Sequence, residues 1–171
     1  FRSFDDRGVR QRERSAERAL IRAGAEVSVS ADLAEAARSD GLVVPGVGAF
    51  ASCMAGIVAL GADELVRARV AEQRPLLGLC VGMQVLFAEG VEHGVRTPGI
   101  GVLRGSIEPL EAPIVPHMGW NTVEPPAGST LFAGVESERF YFVHSYAAHA
   151  APSGVEATWS THGHPFVAAV E

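Results

Sequence analysis

The chain has no lysine; all 14 of its basic residues are arginine. That excludes Schiff-base chemistry through a lysine of these residues. Cysteine is scarce as well. Cys53 and Cys80 make no disulfide framework, and a reducing cytoplasm suits a working thiol. No apolar run is long enough to span a bilayer. The N-terminal stretch is charged and lacks an apolar h-region, so it does not read as a signal peptide. Positive charge is not in excess. The net charge is −6, whereas a nucleic-acid binder is usually basic.

What is present suits one globular domain. The chain has 171 residues, 47% of them hydrophobic and 20% charged, ordinary values for a soluble protein. A chain of this size buries about 70% of its unfolded surface. No linker, repeat or low-complexity tract divides it, so residues 1–171 are expected to form a single mixed α/β domain.

The stretch Leu76-Leu77-Gly78-Leu79-Cys80-Val81-Gly82-Met83-Gln84-Val85-Leu86-Phe87 carries the strongest signal. A short apolar run ends at Cys80, and a second run with helical spacing begins directly after it. Gly78 and Gly82 flank the thiol symmetrically, as in the G-x-S-x-G strand–turn–helix elbow. A side chain at either glycine would clash where the strand bends sharply into the helix. A thiol at a helix N-terminus gains thiolate character from nearby amides. The alternative is a buried structural cysteine.

Taken in order, Phe1 to Arg14 reads as irregular. Ser15 caps a helix to about Ala23, stopped by Gly24. Ala25 to Ser30 alternates as a strand. Asp32 caps a helix through Arg38, and Gly41 to Val44 is a strand leading into Pro45-Gly46-Val47-Gly48-Ala49-Phe50. Helices follow to about Leu60 and, capped by Asp63, from Leu65 to Glu72. Pro75 opens the strand that ends at Cys80, and the elbow helix should run to Gly90. Strand–helix alternation argues for a parallel sheet with helices on its faces. Both glycine loops would then emerge at one carboxyl edge, where such sheets bind ligands. After Gly90 the pattern turns β-rich, with strands over Gly99 to Leu110, Gly119 to Val123, Phe140 to Ala147, Val155 to Ser160 and Pro165 to Val170.

Other motifs leave alternatives open. Pro45-Gly46-Val47-Gly48 could offer amides to an oxyanion or form a plain tight turn; it lacks the Walker spacing and lysine. Pro116-His117-Met118-Gly119-Trp120-Asn121 could be an interface cluster, or Trp120 could fill the core beside a hydrogen-bonded His117. Phe140 to Val143 reads as a core strand, and its polar end, His144-Ser145-Tyr146, could place His144 or Ser145 at a sheet edge beside a ligand or serve only the strand's structure. His162-Gly163-His164 is a poor zinc motif without a nearby cysteine or carboxylate set. Cys53 sits in a helical stretch and reads as a packing residue.

Together these stretches resemble one family. Gly78-Leu79-Cys80-Val81-Gly82-Met83-Gln84 is similar to the nucleophile elbow of class I (triad) glutamine amidotransferases. The Pro45–Phe50, Pro116–Asn121 and Tyr141–Tyr146 stretches narrow the likeness to the glutaminase subunit of imidazole glycerol phosphate synthase. The likeness runs from about Ser15 to the last residue. It implies a three-layer α/β amidotransferase fold with a mostly parallel central sheet and a β-rich second half. It implies that Cys80 forms a glutamyl thioester, with amides of the Val47–Gly48 segment and of Val81 as oxyanion donors. Gln84 and the His144-Ser145-Tyr146 backbone would hold glutamine. The loop of His117, Met118, Gly119, Trp120 and Asn121 would face a (β/α)8-barrel cyclase partner, which receives the ammonia in a heterodimer for histidine biosynthesis. No metal, organic cofactor, nucleic acid or membrane is implied.

The chain departs from the family pattern at both ends. The family's Phe-His-Pro-Glu motif, which supplies the catalytic His and Glu, would follow Glu171. The usual first strand and Gly-Ser-Gly-Asn turn are not found in Phe1 to Arg14, which should cost the sheet a central strand. Impaired turnover is the expectation. The competing readings are a partner-binding fragment without catalysis and a glutaminase serving another synthase.

Overall fold

A computed structural model describes residues 15–171. The expected irregular stretch, Phe1 to Arg14, lies outside the described residues. The chain divides after Leu86 into two compact units.

In the first unit, helix α1 covers residues 15–22 and gives way to a turn at Gly24, φ +92°. Ser15 already lies inside the helix rather than capping it. Ala25 to Ser30 does not form the expected strand. Alternation supplies a face but not a partner, and among the described residues of this unit the one ladder pairs other segments. Val29 is accordingly 66% exposed. Asp32 does cap α2 (Leu33–Arg38), its carboxylate accepting from the amides of Ala34 and Glu35 at 2.8 and 3.3 Å.

Strand β1 (Leu42–Gly46) and β2 (Leu76–Cys80) pair in parallel, with Gly46 opposite Cys80. Between them run α3 (Phe50–Leu60) and α4 (Ala62–Ala71). Gly61, φ 71°, ends one and starts the other. Asp63 therefore stands in the first turn of α4 rather than at its cap, bridging Arg67 at 2.7 Å. Phe50, Met54, Ile57 and Val66 supply the apolar core of these helices.

Arg69 is only 1% exposed, a costly position for a charge. Three carbonyls satisfy its guanidinium: Pro75 before β2, and Ala36 and Ser39 at the end of α2. Cations belong at a helix C-terminus, so Arg69 ties α2, α4 and β2 together.

Helix α5 is one turn, Val81–Gln84, not the long elbow helix expected to reach Gly90. Phe87–Glu92 is instead strand β3, opening the second unit. A short, fully buried apolar run does not reveal its period; Val85, Leu86 and Phe87 are all buried. The stronger signal is His93-Gly94, a two-residue turn with φ 50° and 77°. Positive φ at both positions suits a tight hairpin, and β4 (Val95–Pro98) pairs back on β3.

Strand β5 (Leu103–Pro109) lies parallel to β3 and antiparallel to the short β8 (Tyr146–Ala147). Strands β6 (His117–Thr122) and β7 (Arg139–His144) form an antiparallel pair, as do β9 (Ala157–His162) and β10 (His164–Val170). Phe142 packs on two buried clusters, one of Leu110, Ala147 and Phe166, the other of Val123, Phe132 and Ala169. Among the described residues no helix is long and apolar enough to cross a membrane.

Candidate active site

Parallel pairing of β1 and β2 puts both glycine loops at one carboxyl edge, as the sequence suggested. Cys80 ends β2 and is exposed. Its backbone is at φ 57°, ψ −119°, a region that costs a non-glycine residue about 1–3 kcal/mol.

The surrounding backbone holds that conformation. A Cβ on Gly82 would lie 1.8 Å from the carbonyl oxygen of Val44. One on Gly46 would lie 2.2 Å from the Gly82 nitrogen, and one on Gly78 2.7 Å from Met83 Cα. The strand end, the elbow and α5 thus touch backbone to backbone, as the glycine spacing implied. Because α5 is a single turn, amides of the elbow itself, rather than a long helix dipole, are available to an anion here; the first amides of a helical turn have no intrahelical partner. Val81 is buried behind Cys80, and so is Gln84, 7% exposed, at the end of the turn.

The Val47–Gly48 segment follows β1, with Gly48 at φ +84°. Cys53, on the next helix, donates its thiol hydrogen to the Val47 carbonyl at 3.3 Å. Sequence reading made Cys53 a packing residue. It is buried, and it also steadies the candidate oxyanion segment.

In the second unit, Pro116 to Asn121 is not a loop: His117–Thr122 is strand β6. Its side chains alternate. Met118 and Trp120 are each 62% exposed, whereas His117 is 5% exposed. On β7 the aromatic run is not all core. Tyr141 and Val143 face outward opposite Trp120 and Met118, and the Trp120 and Tyr141 rings meet edge-on at 5.5 Å.

The inner face carries histidines. His117 Nδ1 and His144 Nε2 are 2.9 Å apart, and His144 Nδ1 is 3.1 Å from the Tyr146 carbonyl. His162 stacks on His117 at 4.2 Å and bonds the Ile114 carbonyl through Nε2 at 2.7 Å. Burial first, then the neighbouring His144 and His162, pushes His117 down to about 4. Burial also lowers His144. Both rings are neutral at physiological pH. Sequence spacing did not reveal this cluster, because its members come from three strands.

Residues 9–171 match the family described as glutamine amidotransferase class-I. Curated relatives include the imidazole glycerol phosphate synthase subunit HisH of Streptomyces avermitilis, 59% identical over 167 residues, covering 92% of this chain and 78% of that protein. The HisH subunit of Mycobacterium bovis is 58% identical over 161 residues, with 92% and 78% covered. A crystal structure of a glutamine amidotransferase, 23% identical, has the same fold, with a TM-score of 0.68 over 88% of this chain and 79% of the other. An exposed cysteine in a strained, glycine-packed elbow, set in a sequence this close to these relatives, assigns the chain to the class-I glutamine amidotransferases and, within them, to the HisH subunits of imidazole glycerol phosphate synthase.

Proposed function

We propose that the chain is the glutamine-hydrolysing half of a two-subunit synthase, and that residues 1–171 act as one amidotransferase domain. The observation that carries this reading is Cys80: exposed, at φ 57°, with backbone packed where the flanking glycines lack side chains. Such strain persists where the surrounding structure over-determines it, and it clusters at active sites.

The Cys80 thiolate adds to the side-chain amide carbon of glutamine. The oxyanion is held by the Val81 amide and by an amide of the Val47–Gly48 segment. One donor of this kind contributes about a hundred- to a thousandfold in rate. The carbon–nitrogen bond then breaks, the nitrogen takes a proton and leaves as ammonia, and a glutamyl thioester remains. Water cleaves the thioester to glutamate and restores the thiol. Gln84 and the His144-Ser145-Tyr146 backbone hold the glutamine. The proton acceptor is the His of the family's Phe-His-Pro-Glu motif, which does not occur in these 171 residues.

The partner is a (β/α)8-barrel cyclase that takes the ammonia for histidine biosynthesis, in the cytoplasm, where Cys80 stays reduced. Met118, Trp120, Tyr141 and Val143 form one outward apolar face of β6–β7. Aromatic residues and methionine are enriched at interfaces, which supports docking through this face. With the cyclase present, labelled glutamine should leave an acid-trapped glutamyl adduct on Cys80, and Cys80→Ser should leave none. Equal label on both proteins would refute the reading.

A further inference from the structure

We propose that His117 is a positioning residue that locks the backbone corner at Ser145 through a hydrogen-bond chain running in one direction only. The inference rests on the reading above, in which the 144–146 backbone holds glutamine.

The direction follows from the two ends. The Tyr146 carbonyl only accepts, so His144 Nδ1 carries the hydrogen at that 3.1 Å contact. A neutral His144 then has an acceptor at Nε2. His117 Nδ1 lies 2.9 Å away and must donate. A neutral His117 is left with an acceptor at Nε2, and the amide nitrogen of Asn121 is 3.4 Å from it. Asn121 arrives at the same answer independently. Its amide nitrogen donates to the Thr161 carbonyl at 2.9 Å, and its amide oxygen accepts from the Thr122 amide at 2.9 Å. Nitrogen, not oxygen, therefore faces His117. Both rings must be Nδ1–H tautomers. His162, donating through Nε2 to the Ile114 carbonyl, must be the opposite one.

The chain ends where the strand changes partner. Up to His144 the segment pairs with β6; from Tyr146 it pairs with β5. Ser145 is the hinge. Its carbonyl accepts from the Leu110 amide at 2.9 Å, while the His144 ring grips the Tyr146 carbonyl. His117 fixes that ring from below, and stacking on His162 and Phe142 fixes His117. Removing the His117 donor leaves His144 Nε2 without a partner in a site too buried to hydrate freely, so the ring turns and the corner loosens.

The test has two readouts. Nitrogen-15 chemical shifts of the histidine rings in the full chain should show Nδ1–H for His117 and His144 and Nε2–H for His162. An Nε2–H tautomer at either of the first two overturns the proposal. Alkylation of Cys80 by a diazo-ketone glutamine analogue reads the consequence. His117→Leu should raise the half-saturating concentration about tenfold and leave the limiting rate within about twofold. His117→Asn, whose amide nitrogen replaces Nδ1–H as donor, should restore saturation to within about threefold of the parent. Equal saturation for parent and His117→Leu overturns the proposal. If the parent chain is not alkylated, the glutaminase reading fails, and the tautomers still decide the chain.

Discussion

The two units hold their chemistry in place by different means. In the first, Cys80 is set by close backbone packing: Gly78 against Met83, and Gly82 against Val44 and Gly46 where the elbow meets β1. In the second, His117 and His144 are 27 residues apart, and Asn121 reaches Thr161 across 40. The elbow is a steric device that tolerates no added atom. The histidine chain is a polar device whose strength depends on protonation. The difference teaches where each should fail.

Gly82→Val attacks the steric device most directly. Its first added carbon falls on the Val44 carbonyl, backbone that cannot give way cheaply. The loss should be about 4 kcal/mol or more, the range of severe overpacking, and should appear as a collapsed denaturant midpoint. Trp120→Ser should leave the midpoint nearly unchanged. By removing an exposed aromatic anchor it should weaken cyclase binding by about 2 kcal/mol, or roughly thirtyfold, measured by calorimetry.

Acid should act on the second device. His117 is held at about 4 in the fold, against 6.5 for the free side chain. A lowered pKa means that the unfolded chain binds protons first. The contribution is therefore complete above about pH 6.5 and is lost as pH falls towards 4. Burial shifts His144 in the same direction. Melting temperature should drop across this window, and His117→Asn should flatten the drop. Glu171, lowered chiefly by its bond from Ser129, adds a loss only below its ordinary value of 4.5.

Two smaller effects sharpen the contrast. Cys80→Gly relieves the positive φ and should stabilise the chain by about 1 kcal/mol while abolishing alkylation. Asp32→Ala removes the cap of α2 and should cost about 1 kcal/mol in denaturant unfolding.

The sequence was legible where the determinants are local. The glycines about Cys80 and the Asp32 cap stand where spacing alone put them, whereas the expected Pro45–Phe50 loop is shorter, because Pro45 and Gly46 extend β1 and Phe50 starts α3. It misled where pairing decides. Val27 and Val29 alternate, yet residues 25–30 have no ladder partner among the described residues. Val85 to Phe87 are one buried apolar run with no readable period, and Phe87 starts a strand. The alternation of β6 and β7 was hidden because Trp120 and Tyr141 look like core residues and face outward. Arg69 and the histidine chain depend on carbonyls and rings brought from distant segments, which no local pattern announces.

The central claim is that Cys80 is the nucleophile and Cys53 is not. Treat the full chain, with the cyclase present, with the diazo-ketone glutamine analogue and map the adduct by peptide mass. The account predicts one adduct per chain, on Cys80, suppressed by excess glutamine. No adduct on Cys80, or labelling that glutamine does not suppress, would contradict it.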